Sequence, residues 1–356
     1  MSRARYVLVG VAGLLIAALV VLGGLVPIQA SSGHWRATAW VLDLIKRRSV
    51  NTYSRLIVPP PLDQPWWIVR GAAHYESGCR TCHGSPLSPR PPLMMRMTPH
   101  PPELPLRMAR WDTRELFQIV KHGIKFTAMP AWGAPQRADE IWTMVAFLRA
   151  LPNLTPESYR ELAFGDTTTS DGVSAVERCA RCHGTDGMGR GGDFPVLAGQ
   201  NPEYLHNALL AYRAGHRHSG FMRSEAADLD DAARVVVVNY FAQLPRTPAP
   251  GAPAGSGAAL VLEGQPSRQI PACRECHGPG ATDRNPAYPI NAGQDADYLF
   301  EQLVLFSENR RGGSPFAPIM QAIAGRLSQD QMRAAAEWYA AATPALPTGS
   351  VPARPR

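Results

Sequence analysis

The pentapeptide C-x-x-C-H occurs three times in this chain of 356 residues, and the three copies contain all six of its cysteines. In this pattern the two thiols form thioether bonds to the vinyl groups of a haem, and the adjacent histidine binds the iron. The sequence therefore predicts three covalently bound haem c groups, and it leaves no cysteine for a disulfide. The predicted attachment and proximal residues are Cys79, Cys82 and His83, then Cys179, Cys182 and His183, then Cys273, Cys276 and His277.

A zinc site is the alternative interpretation of a C-x-x-C pair. Two such pairs make one four-ligand site, and three pairs do not divide evenly. Zinc would also leave unexplained the histidine that directly follows the second cysteine of every copy. These two observations favour covalent haem over zinc.

The sixth ligand of each iron decides whether the site only transfers electrons or can also react with a substrate, because a six-coordinate iron has no open position. Methionine sulfur opposite histidine closes the site and raises its potential. One methionine follows each proximal histidine by 46, 39 and 43 residues, which is enough chain to reach the opposite haem face. We therefore predict Met129, Met222 and Met320 as the sixth ligands.

Other side chains compete for these positions. His122, His216 and His218 lie near the predicted methionine loops, and histidine is a common metal ligand. A proline-flanked methionine cluster at residues 94–97 also stays open as a source of a ligand. Met188 is only five residues past the second proximal histidine, which is too close to reach the opposite face.

Further residues are predicted to support the haems. The carbonyls of Pro195 and Pro289 are placed to orient two proximal histidines, as the partners of metal-bound histidines usually do. Arg217 and Arg311 are candidates to pair with haem propionates. Trp132 is expected at a haem edge, with its indole N–H directed to a propionate.

The N-terminus contains an uncharged apolar run at residues 6–26, long enough to span a bilayer as a helix. We predict a transmembrane anchor within residues 1–30 rather than a cleaved signal peptide, whose apolar core is usually shorter. Arg3 and Arg5 place the N-terminus in the cytoplasm. The predicted location is a bacterial inner membrane, with the haem domains in the periplasm.

The predicted fold is all-α: an N-terminal transmembrane helix followed by three small haem domains in series. A helix at 35–48 is expected next to the membrane, either on its surface or solvated. The haem repeat, the proline-rich stretches and the apolar periodicity set the boundaries. They are an anchor at 1–30, a membrane-proximal helix and linker at 31–62, domain one at 63–151, a linker at 152–171, domain two at 172–244, a linker at 245–257, domain three at 258–342 and a disordered tail at 343–356.

The formal net charge of +7 comes from scattered arginines and does not form the basic, aromatic-rich stretch expected of a nucleic-acid binder. Lysine is rare, with Lys46, Lys121 and Lys125 as its three examples. The last two flank the Met129 loop. They are either a docking surface for an acidic partner or ordinary solvated residues.

Domains two and three share a second pattern at identical spacing after their proximal histidines: a proline, then A-G-Q, then Y-L. With the C-x-x-C-H copies and the later methionines, the chain resembles class I c-type cytochromes over residues 65–342. Domains two and three resemble tandem di-haem periplasmic cytochromes c, which implies two helical haem domains facing each other. Domain one resembles mono-haem domains in cytochrome subunits of respiratory complexes.

The leading functional prediction is a membrane-tethered tri-haem electron carrier between a quinol-oxidising complex and a terminal haem–copper oxidase. The alternative is the cytochrome subunit of a periplasmic dehydrogenase acting on alcohols, aldehydes or sugar acids. A third hypothesis, a haem peroxidase, requires an open iron. Because a six-coordinate iron has no open position, we predict no catalytic residue and no small-molecule substrate. The predicted partners are redox proteins and the inner membrane, and no nucleic acid is expected.

Overall fold

The structure, a computed structural model, describes residues 3–167, 174–191, 194–247, 256–278 and 285–343. Within these ranges the regular structure is helical, and β pairing is limited to two isolated bridges. The all-α prediction is therefore confirmed. The tail from residue 344 onward, the end of the predicted linker 152–171 and the central part of the predicted linker 245–257 lie outside the described residues.

Two helices precede the first haem motif. Helix α1 (Arg3–Leu22) is long and apolar enough to cross a membrane. Helix α2 (Arg36–Ser54) extends beyond the predicted 35–48 because its last turns pack on the first domain, where Val50 and Ser54 are buried. The sequence suggested an earlier end because its basic run resembles a solvated helix terminus.

The first haem domain contains α3 (Pro65–His74), α4 (Arg80–His83), α5 (Thr113–His122) and α6 (Ala138–Ala150). A π-helical turn at Tyr75–Cys79 joins α3 to α4. Helix α3 crosses α6 closely, because a Cβ on Gly71 would lie 2.3 Å from the Cβ of Phe147. The ring of Tyr75 lies 5.1 Å from that of Phe147, so the crossing leads directly to the haem-attachment segment.

The stretch predicted as the linker 152–171 contains helix α7 (Pro156–Phe164). Its side chains Tyr159, Ala163 and Phe164 are buried in the core of the first domain. Tyr159 also donates a hydrogen bond of 2.6 Å to the buried Glu76. The apolar face of α7 is short and separated by charged residues, so the sequence pattern alone resembled a linker.

The second and third haem domains repeat one helix order, and each has its own apolar core. In both, the first and last helices pack together. In the third domain an additional loop separates the first helix from the haem motif. The helices are α8 (Ala175–His183), α9 (Pro202–Arg213), α10 (Gly220–Ala227) and α11 (Asp231–Gln243), then α12 (Ser256–Glu263), α13 (Arg274–His277), α14 (Ala296–Ser307), α15 (Ala317–Ala324) and α16 (Gln329–Ala341).

Candidate haem sites

Each proximal histidine is held by a backbone carbonyl. His183 Nδ1 lies 3.0 Å from the oxygen of Pro195, and His277 Nδ1 lies 3.0 Å from that of Pro289. A carbonyl accepts only, so Nδ1 carries the proton and Nε2 keeps the lone pair that binds iron. The prolines are those the sequence singled out.

The first domain holds its proximal histidine in the same way, with His83 Nδ1 2.9 Å from the oxygen of Pro102. Sequence reasoning missed this partner. The first domain lacks the pattern shared by the other two, and its proline-rich segment offers many equivalent candidates.

One cavity of 880 Å³ extends through the second and third domains. The predicted ligands of the second haem and those of the third haem all line this cavity, although the two sets are far apart in the sequence. His83 and Met129 lie outside it, in the first domain. The cavity is lined by the motif residues Cys179, Cys182, His183, Cys273, Cys276 and His277 and by both methionines, Met222 and Met320.

The second and third domains face each other through a reciprocal pair of glutamines from the A-G-Q pattern. Gln294 accepts from the N–H of Val196 at 2.7 Å and donates to its carbonyl at 3.0 Å. Gln200 makes the same two bonds with Ile290, at 2.8 and 3.0 Å. Val196 and Ile290 directly follow the prolines that hold the histidines, so each glutamine fixes the proximal loop of the opposite domain.

The Met129 loop of the first domain begins where α5 ends. Gly123 adopts a φ of +63°, and a Cβ there would lie 2.5 Å from the carbonyl oxygen of Met129. The loop is closed by a hydrogen bond from the N–H of Ile124 to the same carbonyl at 3.2 Å. Thr127 Oγ1 accepts from the N–H of Met129 at 3.1 Å. These bonds fix the backbone that carries the predicted ligand.

Comparison with known proteins identifies the haem domains. Residues 68–148 match the model of cytochrome c oxidase, cbb3-type, subunit III, and residues 170–245 match that of cytochrome c. The thiosulfate dehydrogenase electron acceptor of Thiomonas intermedia is 36% identical over 182 residues, which are 49% of this chain and 83% of that protein. The chain belongs to the cytochrome c family.

Other relatives of this cytochrome are di-haem proteins. Cytochrome c4 of Pseudomonas aeruginosa is 33% identical over 175 residues, covering 48% of this chain and 86% of the relative. A crystal structure of reduced cytochrome c4 from Pseudomonas stutzeri is 29% identical with a TM-score of 0.43, covering 46% of this chain and 93% of that one. With a C-x-x-C-H motif in each of its three domains, this member of the family carries three covalently bound haem c groups, and it is an electron-transfer protein.

Two buried arginines, Arg217 and Arg311, line the cavity of the second and third domains. Arg217 donates to Tyr204 at 3.2 Å and to Tyr298 at 2.9 Å, and Arg311 donates to Tyr204 at 3.2 Å. Both guanidinium groups are buried, and these phenols are neutral partners. A buried charge requires a counter-charge. Haem propionates would supply it, so the residues present fit the haem; the pairing of both arginines with propionates stays a prediction.

Two further observations describe the electrostatics of the cavity. Burial alone would raise the pKa of Tyr204, but Arg217 and Arg311 lower it to about 8, which reflects the positive potential there. Burial raises the pKa of Cys179 and of Cys182 to about 12. Their surroundings therefore disfavour the thiolates that bind zinc and suit the uncharged thioethers of haem c.

The predicted bond from the indole N–H of Trp132 to a propionate is wrong, while its place at a haem edge stays a prediction. Its indole Nε1 donates to the carboxylate of Glu140 at 3.1 Å rather than being free for a propionate. The sequence could not indicate this, because Glu140 is a charged residue that the fold buries. Among the competing histidines, His122 is exposed at the end of α5 and His218 is not in the lining of the shared cavity, whereas His216 lines it and remains an alternative ligand.

Proposed function

We propose that this cytochrome is anchored in a bacterial inner membrane by α1 and carries electrons between a quinol-oxidising complex and a terminal haem–copper oxidase. One observation carries the proposal: the same chain contains a domain that matches an oxidase subunit and a pair of domains that resembles cytochrome c4. The apolar helix at residues 3–22 supports attachment to the membrane that holds both complexes.

The proposed sites are six-coordinate, with Met129, Met222 and Met320 opposite the three proximal histidines. Bound haem supplies a one-electron couple at each site, and methionine ligation raises its potential. The protein holds each histidine by its Nδ1 proton and excludes water through the apolar lining of the cavity. No substrate position is left at a closed iron, which is why the proposal is electron transfer alone.

Optical spectroscopy tests the ligation. Ferric haem with histidine–methionine ligation has an absorption band near ~695 nm, a consequence of the sulfur ligand. We expect three haems' worth of this band in the purified protein, with one third lost in each single Met→Leu variant. Carbon monoxide binding to the native protein would instead indicate an open iron and favour the peroxidase hypothesis.

Membranes that lack this chain test the respiratory role. We expect quinol-driven oxygen uptake to fall in such membranes and to recover when the full chain is restored. The intact cytochrome should also purify with a haem–copper oxidase in mild detergent. Normal quinol-driven uptake without the chain would contradict the proposal.

A second candidate is the electron acceptor of a periplasmic dehydrogenase. The similarity to the thiosulfate dehydrogenase electron acceptor of Thiomonas intermedia favours it. It differs from the first candidate in the electron donor rather than in the site. Rapid reduction by a purified thiosulfate, alcohol, aldehyde or sugar-acid dehydrogenase with its substrate, and slow reduction by the quinol-oxidising complex, would support this candidate.

A docking surface for the partner is proposed on the Met129 loop. Phe126 is 86% exposed and adopts a φ of +61°, which presents an apolar ring beside the exposed Lys125. Lys121 lies over the ring of Phe117, 5.6 Å from its centroid. An acidic partner would complement the two lysines. Neutralising both lysines should remove most of the salt dependence of the electron-transfer rate; a rate insensitive to salt in the unmodified protein would contradict this surface.

A further inference from the structure

One buried carboxylate of the first domain contacts the loop that carries Met129. Glu140 lies in the first turn of α6, and its side chain is 1% exposed. It accepts the indole N–H of Trp132 at 3.1 Å, and Trp132 is three residues beyond Met129. The N–H of Trp132 also bonds back to the carbonyl of Lys121, which closes the base of the loop. Glu140 therefore fixes the end of the first predicted ligand loop.

The same carboxylate reaches into the second domain, where it contacts the residues that precede Met222. Glu140 accepts from Ser219 Oγ at 2.5 Å and from the N–H of Gly220 at 2.6 Å. Ser219 is the N-cap of α10, and its Oγ accepts from the N–H of Met222 at 3.1 Å. Trp132 lies directly against Gly220, because a Cβ there would be 2.2 Å from the indole nitrogen. Any larger residue would separate the two loops.

The haem-attachment segment of the first domain also reaches the second haem site. Ser77, two residues before Cys79, lines the cavity together with Cys182. Glu225, which lies in the same helix as Met222, lines this cavity as well. Helix α3 packs beside α8, the helix that ends in the second haem motif. The first and second haem sites therefore adjoin at both the attachment side and the methionine side.

The first domain also contacts the third domain, through Arg137, which pairs with Glu140 at 3.3 Å and so connects this contact to the junction with the second domain. Arg137 forms an ion pair with Glu301 at 2.6 Å, and Arg310 donates to the carbonyl of Gln136. Glu301 lies in α14 and Arg310 follows that helix. Met320 lies in α15, whose N-terminus has no side-chain cap. The contact with the third domain thus joins α14, rather than a ligand loop, to the first domain.

We infer that electrons pass between the first domain and the di-haem pair through the second haem, and that Glu140 is the positioning residue that holds the two methionine loops together for this transfer. The inference rests on the proposed electron-carrier function. In this step one electron leaves a ferrous first site and reduces a ferric second site, with no bond or proton transferred. The protein contributes the fixed approach and orientation of the two sites.

The test compares Glu140→Gln and Ser219→Ala with the unmodified full chain carrying its haems. Glu140→Gln removes the charge that accepts three hydrogen bonds, whereas Ser219→Ala removes one of these three bonds and the N-cap bond from the N–H of Met222. The first measurement is NMR of the reduced protein, in which each iron-bound methionine gives its own upfield-shifted methyl signal. We expect the signals of Met129 and Met222 to move in Glu140→Gln, and that of Met320 to stay.

The second measurement is electron equilibration among the haems after flash reduction of a single site. Loss of charge-assisted hydrogen bonds should make the docked arrangement about tenfold less populated, and first-to-second transfer correspondingly slower. Exchange between the second and third haems serves as an internal control and should not change. Ser219→Ala should slow the first-to-second step by a smaller factor.

Glu76→Gln is the matched control, because Glu76 is also a buried carboxylate of the first domain. Its partners, Tyr159 and Arg80, belong to that domain. It removes no contact of either methionine loop, so it should leave the Met222 signal unchanged. Unaltered first-to-second transfer in both Glu140→Gln and Ser219→Ala, or faster exchange of the first haem with the third, would overturn the inference. If Glu140→Gln does not mature, Ser219→Ala decides alone.

The outcome is independent of the respiratory role. If the cytochrome fails to exchange electrons with a quinol-oxidising complex or an oxidase, the proposed function fails, but flash reduction still reports the route inside the chain. If external transfer is normal and the first-to-second step is unaffected by the variants, the inference alone fails.

Discussion

The two interdomain junctions of this cytochrome are built from different chemistry. The junction of the second and third domains is symmetric: Gln200 and Gln294 each bond the backbone of the opposite proximal loop. The junction of the first domain with this pair is asymmetric and charged. There Arg137 and Glu140 form a buried ion pair of 3.3 Å, and both reach across the boundary.

The junctions differ because one joins two copies of the repeated module, whereas the other joins domains of different subtypes. A duplicated module can meet its copy with one side chain used twice, so a single glutamine position provides the whole pattern. A domain of another subtype has no matching surface. Its junction uses buried charges, which are costly unless every partner is present. The symmetric junction is therefore expected to tolerate single changes better than the charged one.

The largest expected effect is the loss of Arg137. Its side chain pairs with Asp139 at 2.6 Å and Glu301 at 2.6 Å, and it donates to the carbonyl of His218 at 3.0 Å. Arg137→Ala leaves buried carboxylates without their counter-charge, which should lower the free energy of unfolding by about 3–5 kcal/mol. Chemical denaturation followed by haem absorbance measures it.

The matched control for Arg137→Ala is Arg114→Ala, which removes an exposed partner of Asp112. It should cost less than about 1 kcal/mol, as exposed ion pairs usually do. Equal effects of the two changes would mean that the charged junction contributes no more to stability than a surface pair.

Acid should weaken the charged junction through His74. This side chain is buried against Trp132 and Phe221, at centroid distances of 5.1 and 4.7 Å, and burial lowers its pKa from 6.5 to about 4. The unfolded chain therefore binds this proton more readily than the folded one. The stability is fully present above pH 6.5 and is lost as the pH falls to 4, by about 3 kcal/mol from this group.

Comparison with His74→Phe isolates this contribution. We expect the unmodified protein to lose more stability than the variant between pH 6.5 and pH 4, measured by denaturation at several pH values. Identical pH dependence in the two proteins would show that the His74 environment does not oppose protonation.

Sequence reasoning predicted the parts of the site that repeat or that lie in a fixed local pattern. The carbonyl partners Pro195 and Pro289 follow from the two aligned modules, and the helix Thr113–His122 likewise depends on a local pattern. Its ends are defined locally by the capping box of Asp112 and by Gly123.

What the sequence could not predict depends on contacts between distant segments. Glu140 looks like an exposed residue of a helix start, and its burial follows only from the approach of residues 219 and 220. The indole N–H of Trp132 was predicted to contact a propionate because the sequence does not show that it bonds to Glu140 in the fold. The proline-rich linker likewise gave no indication that Gln200 and Gln294 would join the second and third domains.

The symmetric junction predicts equal effects from its two glutamines. Gln200→Leu leaves the N–H and carbonyl of Ile290 without these partners, and Gln294→Leu does the same to Val196. Each change should cost about 1–3 kcal/mol, the penalty for buried backbone groups that lose their hydrogen bonds. Thermal unfolding of the two single variants measures this.

The double variant sharpens the test. The two glutamines contact different loops, so their effects should add within about 0.5 kcal/mol if the sites are independent. A marked inequality between the single variants would show that the pseudosymmetry of the bonds does not extend to their energies.

The smallest effect is expected at the edge of the charged junction, where the exposed Arg223 donates to the carbonyl of Gly133 at 3.2 Å. Water replaces this bond readily, so Arg223→Ala should change the free energy of unfolding by no more than about 0.5 kcal/mol. Arg137 and Arg223 both cross from one domain to the other, but Arg137 is buried and pairs with carboxylates. A large loss of unfolding free energy in Arg223→Ala, measured by the same denaturation assay, would mean that an exposed contact between the domains stabilises them as much as a buried one. A small loss would indicate that the buried charges contribute most of the stability of this junction.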